Sequence, residues 1–344
     1  MGDVHRGILI NRHYLLFIAS LIEWVLFDVN MTSGVSIDAV IPTLNCASNL
    51  RRCLERLLAQ RFEGVINVIV VDGGSRDNTL EVAKEFDARI LTLSGSHPEG
   101  RDGQRSLGIL SGNSEFVWHI DSDNFLVEDT VARDLVEPFL KYRDLFITMP
   151  ETVVDLKSAP FNQFLSYVEI ENVNKMKRTG LRVGNLCIVD DVWYGLTNAS
   201  MIRRSALEMI GGWDMDTKVL RRLRMAGLSR GAIVTSAHFY HNQTVSLSHY
   251  FRKWEKRVTF FGAFTPQMAE KYFVGSRADG LKSAGPSGIV DFIFSPSVTS
   301  LKMIGKKRFS TVTMYGLLYP FVFMLIFLKH PVKTLNAVRI VSRY

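Results

Sequence analysis

Apolar and polar positions along this chain switch between two periods, and the switches lay out a fold. Ile37 to Ile41 (IDAVI) is a short apolar run that reads as a buried strand, stopped by Pro42-Thr43-Leu44-Asn45. Ala47 to Gln60 carries Leu50, Leu54, Leu57 and Leu58 at helical spacing, with arginines on the other face. Ile66 to Val71 (INVIVV) reads as a second buried strand, ending at Asp72-Gly73-Gly74-Ser75. Asp77 or Asn78 is placed to cap a helix over Thr79 to Phe86, and Arg89 to Leu93 gives a third strand. Strand and helix alternating at this spacing predict a parallel α/β sheet.

The stretch Glu115 to Leu126 (EFVWHIDSDNFL) is the chemical centre of the pattern. Phe116, Val117, Trp118 and Ile120 form the near-continuous apolar run of a strand buried on both faces. It ends in Asp121-Ser122-Asp123-Asn124, where open α/β sheets place their ligands. Two roles fit carboxylates at i and i+2. They can hold a hard divalent cation beside a phosphorylated ligand. Alternatively, Asp123 or Asn124 can cap the next helix, expected over Glu128 to Tyr142.

Beyond this, Leu145 to Met149 reads as a strand, Phe161 to Lys177 as a helix, Ala199 to Ile202 as a strand and Arg203 to Ile210 as a helix closed by Gly211-Gly212. Gly184 to Tyr194 has no clear period. Ile233 to Ala237 is a strand, followed by His238-Phe239-Tyr240-His241, and Ser248 to Phe260 is a basic helix with an aromatic stripe. No G-x-G-x-x-G follows the first strand and no G-x-x-x-x-G-K-[ST] occurs, so dinucleotide and P-loop readings lose their support.

Composition changes the picture at the two ends. Of 344 residues 47% are hydrophobic, and mean hydropathy is +0.09, high for a wholly soluble enzyme. Part of the surplus is Thr311 to Leu328, 18 uncharged residues, which just meets the length of a membrane span; Pro320 would kink it or turn it into a hairpin. Tyr14 to Phe27 is apolar too, but only 14 residues long and interrupted by Glu23, which favours an amphipathic helix; a natural start at Met31 is the alternative. Gly275 to Gly288 reads as a loop, and Ile289 to Ile304 as a segment lying along a membrane. A net charge of +7 suits phosphates or an anionic membrane surface. Three cysteines (Cys46, Cys53, Cys187) are too few and scattered for a disulfide framework or a zinc site.

Five blocks, in order from about Val35 to about Gly262, resemble the inverting, nucleotide-sugar-dependent glycosyltransferases of family 2, of the dolichyl-phosphate-sugar-synthase-like, membrane-associated type. They are VIPTLN, VVDGGSRDNT, GRDGQRSLGIL, FVWHIDSDN and TNASMIRRSALEMIGGWD. The resemblance implies a GT-A fold, a Rossmann-like and mostly parallel sheet flanked by helices, followed by a membrane-associated helical segment. It implies Mg²⁺ or Mn²⁺ as cofactor and a UDP- or GDP-linked sugar as donor. Pro42, Asn45, Asp72, Arg105 and Asp121 would bind the donor nucleotide; Asp123, with Asp121 and His241, would hold the metal. Trp213, Asp214, Arg252 and Trp254 would lie at the acceptor or interface side.

One departure stands out. Family members usually carry a spacer after G-G-F/W-D, then a Glu-Asp pair opening a helix; here the spacer is missing and the glutamate position is Met215. Counting back from Arg222-Leu223-Arg224-Met225-Ala226-Gly227 puts Asp216 at the catalytic position, as general base for an acceptor hydroxyl or, on the bland alternative, as the helix N-cap. An ionised lipid-phosphate acceptor would tolerate a degenerate base motif. The expectation is thus an N-terminal extension (1–34), a cytoplasmic GT-A catalytic domain (35–245), basic interface helices (246–304) and a membrane-associated end (305–344). The acceptor is lipid-linked, at the membrane, and nucleic acid is not a partner. The rivals are a polysaccharide synthase, which needs more spans, and a non-catalytic membrane- or partner-binding relative.

Overall fold

The computed structural model describes residues 32, 34–93, 101–193, 199–213, 216–243, 246–263, 321–322 and 324–341. Expectations for residues 1–31, for the 275–288 and 289–304 segments, for 311–320 and for Asp214 fall outside them.

A single sheet organises the molecule. β1 (Ser36–Thr43), β2 (Val65–Asp72), β3 (Arg89–Thr92) and β4 (Phe116–His119) form its parallel half in the order β3-β2-β1-β4. β1 is buried from Ile37 to Thr43 and all four residues of β4 are buried, as their mostly apolar runs, interrupted by Asp38 and His119, require of central strands. Alternation then sorts side chains by face. Ile37, Ala39, Ile41, Trp118 and Ile120 pack with α1 (Ala47–Leu58), while Val40, Ile69, Val71 and Val117 pack with α3 (Arg101–Ser111). α2 (Thr79–Glu85) packs on α1 and links β2 to β3.

The second half of the sheet differs from the mostly parallel one expected. β5 (Asn124–Leu126), β6 (Ile147–Val153), β7 (Leu181–Val183), β8 (Leu186–Val189), β9 (Met201–Arg203) and β10 (Gly231–His241) complete the order β3-β2-β1-β4-β9-β6-β10-β8-β7, with β5 pairing to β10. Only β6–β10 is parallel here. β9 runs antiparallel between β4 and β6, and β5 and β8 run antiparallel to β10. The architecture is a mixed α/β sheet flanked by helices. Short β5, β7 and β8 escape a periodicity search because three or four residues hold barely one repeat.

α4 (Val131–Lys141) covers the β10 and β6 side, α5 (Pro160–Lys177) packs on β6, and α6 (Arg204–Met209) and α7 (Asp216–Met225) follow β9. α8 (Leu247–Gly262) packs against α9 (Pro331–Val341). A third apolar cluster joins Phe161, Phe164 and Leu165 of α5 to Tyr250 of α8 and to Val322 and Ile326 of the helical residues 321–322 and 324–329. Among the described residues no helix is long and apolar enough to cross a membrane.

Candidate active site

β1, β2 and β4 end together at one edge. Thr43 pairs with Asp72, and Ile120 N–H donates to the Val40 carbonyl, so the turns after these strands converge. Asp72, 1% exposed, is absorbed by its own turn: Gly74 and Ser75 N–H donate to Oδ2 at 2.8 and 2.9 Å, and the Ser75 hydroxyl donates to Oδ1. The two glycines serve this turn differently. Gly74 sits at φ +93°, and a Cβ on Gly73 would approach the Gln104 amide to 3.0 Å. That buried amide donates to the Thr43 and Val71 carbonyls, tying α3 to both strand ends. Pro42 is buried at the end of β1, which runs on through Thr43 rather than stopping at Pro42. Asn45, at φ 49°, bridges the two loops: its N–H donates to Ser75 Oγ and its side-chain oxygen accepts from Arg76 N–H.

At the end of β4 the chemistry is ionic. Arg105, 1% exposed, donates to both Asp121 oxygens at 2.7 and 3.0 Å and also to Asp102. Half-exposed Arg101 reaches Asp121 at 3.3 Å. Burial alone would raise the Asp121 carboxyl; the Arg105 and Arg101 guanidinium groups outweigh it and hold it down at about 2. Two residues earlier on the same face, His119 is 1% exposed and stacks on Trp213, ring centroids 4.1 Å apart. Neither its ring nitrogens nor the Trp213 indole N–H has a hydrogen-bond partner among the described residues. Burial, with Arg105 nearby, pushes the His119 imidazole down to about 3, so it is neutral.

The second aspartate faces a different partner. Asp123 does not cap a helix, because β5 follows directly and α4 begins only after Thr130. β5 pairs with β10 so that Asn124 stands opposite His241, and Asn242 N–H donates to the Asp123 carbonyl. This register sets His241 Nε2 3.7 Å from Asp123 Oδ1. On the other side, His241 Nδ1 meets Glu169 of α5 at 2.7 Å. Burial lowers the His241 imidazole, but Glu169 and Asp123 outweigh it and lift it to about 9. The imidazolium thus stands between the two carboxylates.

Among the described residues no three His, Cys, Asp or Glu side chains form a complete metal cage. One carboxylate and one imidazole backed by a second carboxylate nevertheless fit a hard or borderline divalent ion whose remaining positions are filled by ligand phosphates and water. Asp121 contributes less directly, since Arg105 engages both its oxygens.

The acceptor-side residues are not gathered in the same way. Trp213 is 4% exposed and packs on His119 rather than facing solvent. Asp216 opens α7, with its side chain outside the described part. On α8, Arg252 is exposed and Trp254 packs beside Tyr250, 6.0 Å between ring centroids. Reading the sequence missed Arg101, Gln104 and Glu169. Arg101 and Gln104 flank Arg105 within the same helix and could have been found there; Glu169 lies in an unremarkable helix, and only folding brings it to His241.

The sequence model for glycosyl transferase family 2 matches residues 38–211, just over half of the chain. This chain belongs to glycosyl transferase family 2. Glycosyltransferase GlyA of Streptococcus pneumoniae is 32% identical over 107 residues, 29% of this chain and 15% of GlyA. Succinoglycan biosynthesis protein ExoA of Rhizobium meliloti is 25% identical over 179 residues, 51% of this chain and 52% of ExoA. The chain thus spans between about a seventh and half of the length of these curated relatives. Among solved structures, the mannosyltransferase PcManGT from Pyrobaculum calidifontis, in complex with GDP-Man and Mn²⁺, overlays with a TM-score of 0.49 at 13% identity, covering 95% of both chains. The assignment rests on the family match. Within this family 2 chain the matched stretch holds Asp72, Arg105, Asp121 and Asp123, and ends before Trp213, Asp216 and His241.

Proposed function

We propose that this family 2 member is an inverting GT-A glycosyltransferase, dependent on Mg²⁺ or Mn²⁺, that moves a sugar from a UDP- or GDP-linked donor to a lipid-linked acceptor at the membrane surface. The observation that carries the reading is the meeting of Asp123 and His241, 3.7 Å apart, beside the Arg105–Asp121 pair at the C-terminal edge of the parallel strands.

Asp123 and His241 would hold the cation, which when bound supplies positive charge to the diphosphate leaving group. Arg105 holds Asp121 in one orientation, and half-exposed Arg101 adds a cationic side chain facing the same edge. Asn45 and the Asp72 turn shape the wall on which the nucleoside would lie. In the displacement, an acceptor oxygen bonds to the anomeric carbon as the bond to the diphosphate breaks. The nucleoside diphosphate takes the electron pair, and Asp216 at the start of α7 takes the proton of a hydroxyl acceptor. An ionised phosphate acceptor has no such proton to give, which agrees with the shortened motif around Asp216.

The membrane side of the reading is supported by the C-terminal helices. Phe321, Met324, Leu325, Leu328, Val332 and Leu335 recur at helical spacing and are all exposed, while Val322 and Ile326 face inward. Such an outward apolar stripe, beside Lys329 and Lys333, suits a helix lying in a lipid interface.

A thermal-shift panel of UDP-, GDP- and CDP-linked sugars, with and without Mn²⁺, tests the donor site. One nucleotide class should raise the midpoint only when Mn²⁺ is present, and Asp123→Ala should abolish the shift. No shift with any nucleotide, in folded protein, overturns the catalytic reading in favour of a non-catalytic membrane-binding relative.

A further inference from the structure

His241 is held at its ring and at its backbone by two groups that the family match and the sequence motifs leave unassigned. Glu169, 7% exposed, meets its Nδ1 at 2.7 Å. The same carboxylate is pinned in turn. The Gln243 amide donates to Oε1 at 2.9 Å, and the Thr152 hydroxyl donates to Oε2 at 3.3 Å. Asn162, 1% exposed, donates from its side-chain amide to the His241 carbonyl at 3.0 Å. Asn162 and Glu169 are seven residues apart on α5, hence on one face of that helix. One helix therefore grips both the backbone and the ring of His241.

A carboxylate at Nδ1 can only accept. It keeps a proton on Nδ1, so that when a cation displaces the other proton of the imidazolium, the Nε2 lone pair is the one that faces Asp123. We propose that Glu169 is a positioning residue for the divalent cation: it fixes the tautomer and ring orientation of His241 so that Nε2 and Asp123 present a two-ligand corner, with Asn162 anchoring the same residue through its backbone. This rests on the metal-dependent donor site proposed above. It assigns to α5, which the sequence motifs bypass, the task of supporting the metal ligand. An alternative structural role, in which Glu169 merely neutralises a buried imidazolium, makes no demand on which nitrogen carries the proton when metal is bound.

The decisive variant is Glu169→Gln. It keeps the shape of the side chain but supplies an amide N–H that can donate to Nδ1, which then moves the histidine proton to Nε2 and blocks the ligand position. Mn²⁺ titration of the whole chain in the presence of UDP or GDP, read by the electron paramagnetic resonance of free Mn²⁺, should show the dissociation constant rising about 10- to 100-fold in the variant. Unchanged Mn²⁺ affinity in folded Glu169→Gln overturns the proposal. If the variant does not fold, ¹⁵N-histidine spectra of the wild type saturated with Mg²⁺ and UDP or GDP decide the matter, with the His241 signals assigned by comparison with His241→Ala. The expected signature is a protonated Nδ1 and a bare Nε2; a proton on Nε2 overturns the proposal. Wild type that binds no Mn²⁺ at all would instead remove the donor-site reading beneath it, so the two failures are distinguishable.

Discussion

The turn at Asp72 and the corner at Asp121 to Asp123 look alike in sequence: an apolar strand running into an aspartate at the ligand-binding edge of the sheet. In three dimensions they behave oppositely. The Asp72 carboxylate is consumed locally, by two backbone N–H groups and a serine hydroxyl of its own turn. At the other corner, the charged partners come from other segments. Arg105 and Arg101 come from α3, His241 from β10 and Glu169 from α5. A carboxylate that its own turn satisfies builds the wall of a site. Under the proposed function, one that faces an imidazolium from another segment exchanges it for a metal ion.

Three substitutions probe that contrast. Arg105→Met should have the largest effect, because it leaves Asp121 buried with only the more distant Arg101. Loss of one partner from such a pair costs about 3–5 kcal/mol, and replacing both with apolar residues recovers much of it. Urea denaturation of Arg105→Met and of Arg105→Met/Asp121→Leu measures both terms. A single-variant cost under about 1 kcal/mol would mean that the ion pair is not what anchors α3 to β4.

Asp72→Asn comes next. With its amide oxygen kept toward the Gly74 and Ser75 N–H groups, its NH2 would face the Ser75 and Thr43 hydroxyls that donate to Oδ1, for a cost of about 1–3 kcal/mol in stability. Mn²⁺ affinity should stay at the wild-type level, unlike that of Asp123→Ala. If Asp72→Asn weakens Mn²⁺ binding as much as Asp123→Ala does, the division between wall and corner fails. His119→Phe should be the mildest. It removes two buried ring nitrogens that have no partner while preserving the stack on Trp213. Stability should hold or rise by about 1 kcal/mol. A clear loss would show that the imidazole makes a bond, through water or ligand, that the protein alone does not display.

Much of the parallel half was legible because long apolar runs and leucine spacing report burial directly. The strands from Ile37, Ile66, Arg89 and Phe116, and the helices between them, lie within a few residues of where periodicity puts them. The second half was less legible. β6 runs four residues past Met149, β10 extends from Gly231 to His241 with a register shift between Val234 and His238, β8 lies within the stretch from Gly184 that was given no element, and β7 lies just before it. The helix-capping alternative for Asp123 was undone by β5, three residues too short to be seen in sequence.

The sequence by itself determined where the carboxylates sit along the chain, which strands are buried, and the likeness to family 2, because burial and turn chemistry are local properties of residue type and spacing. It also named His241, though without a reason to prefer it to His238. Only the tertiary structure decided between them. The antiparallel register of β5 on β10 turns His241 toward Asp123, while His238, three residues earlier, pairs with Glu128. Strand register and the docking of α5 follow from packing across the whole sheet, which no window of sequence contains. That is why Glu169 became visible as the support of His241 only once the chain had folded.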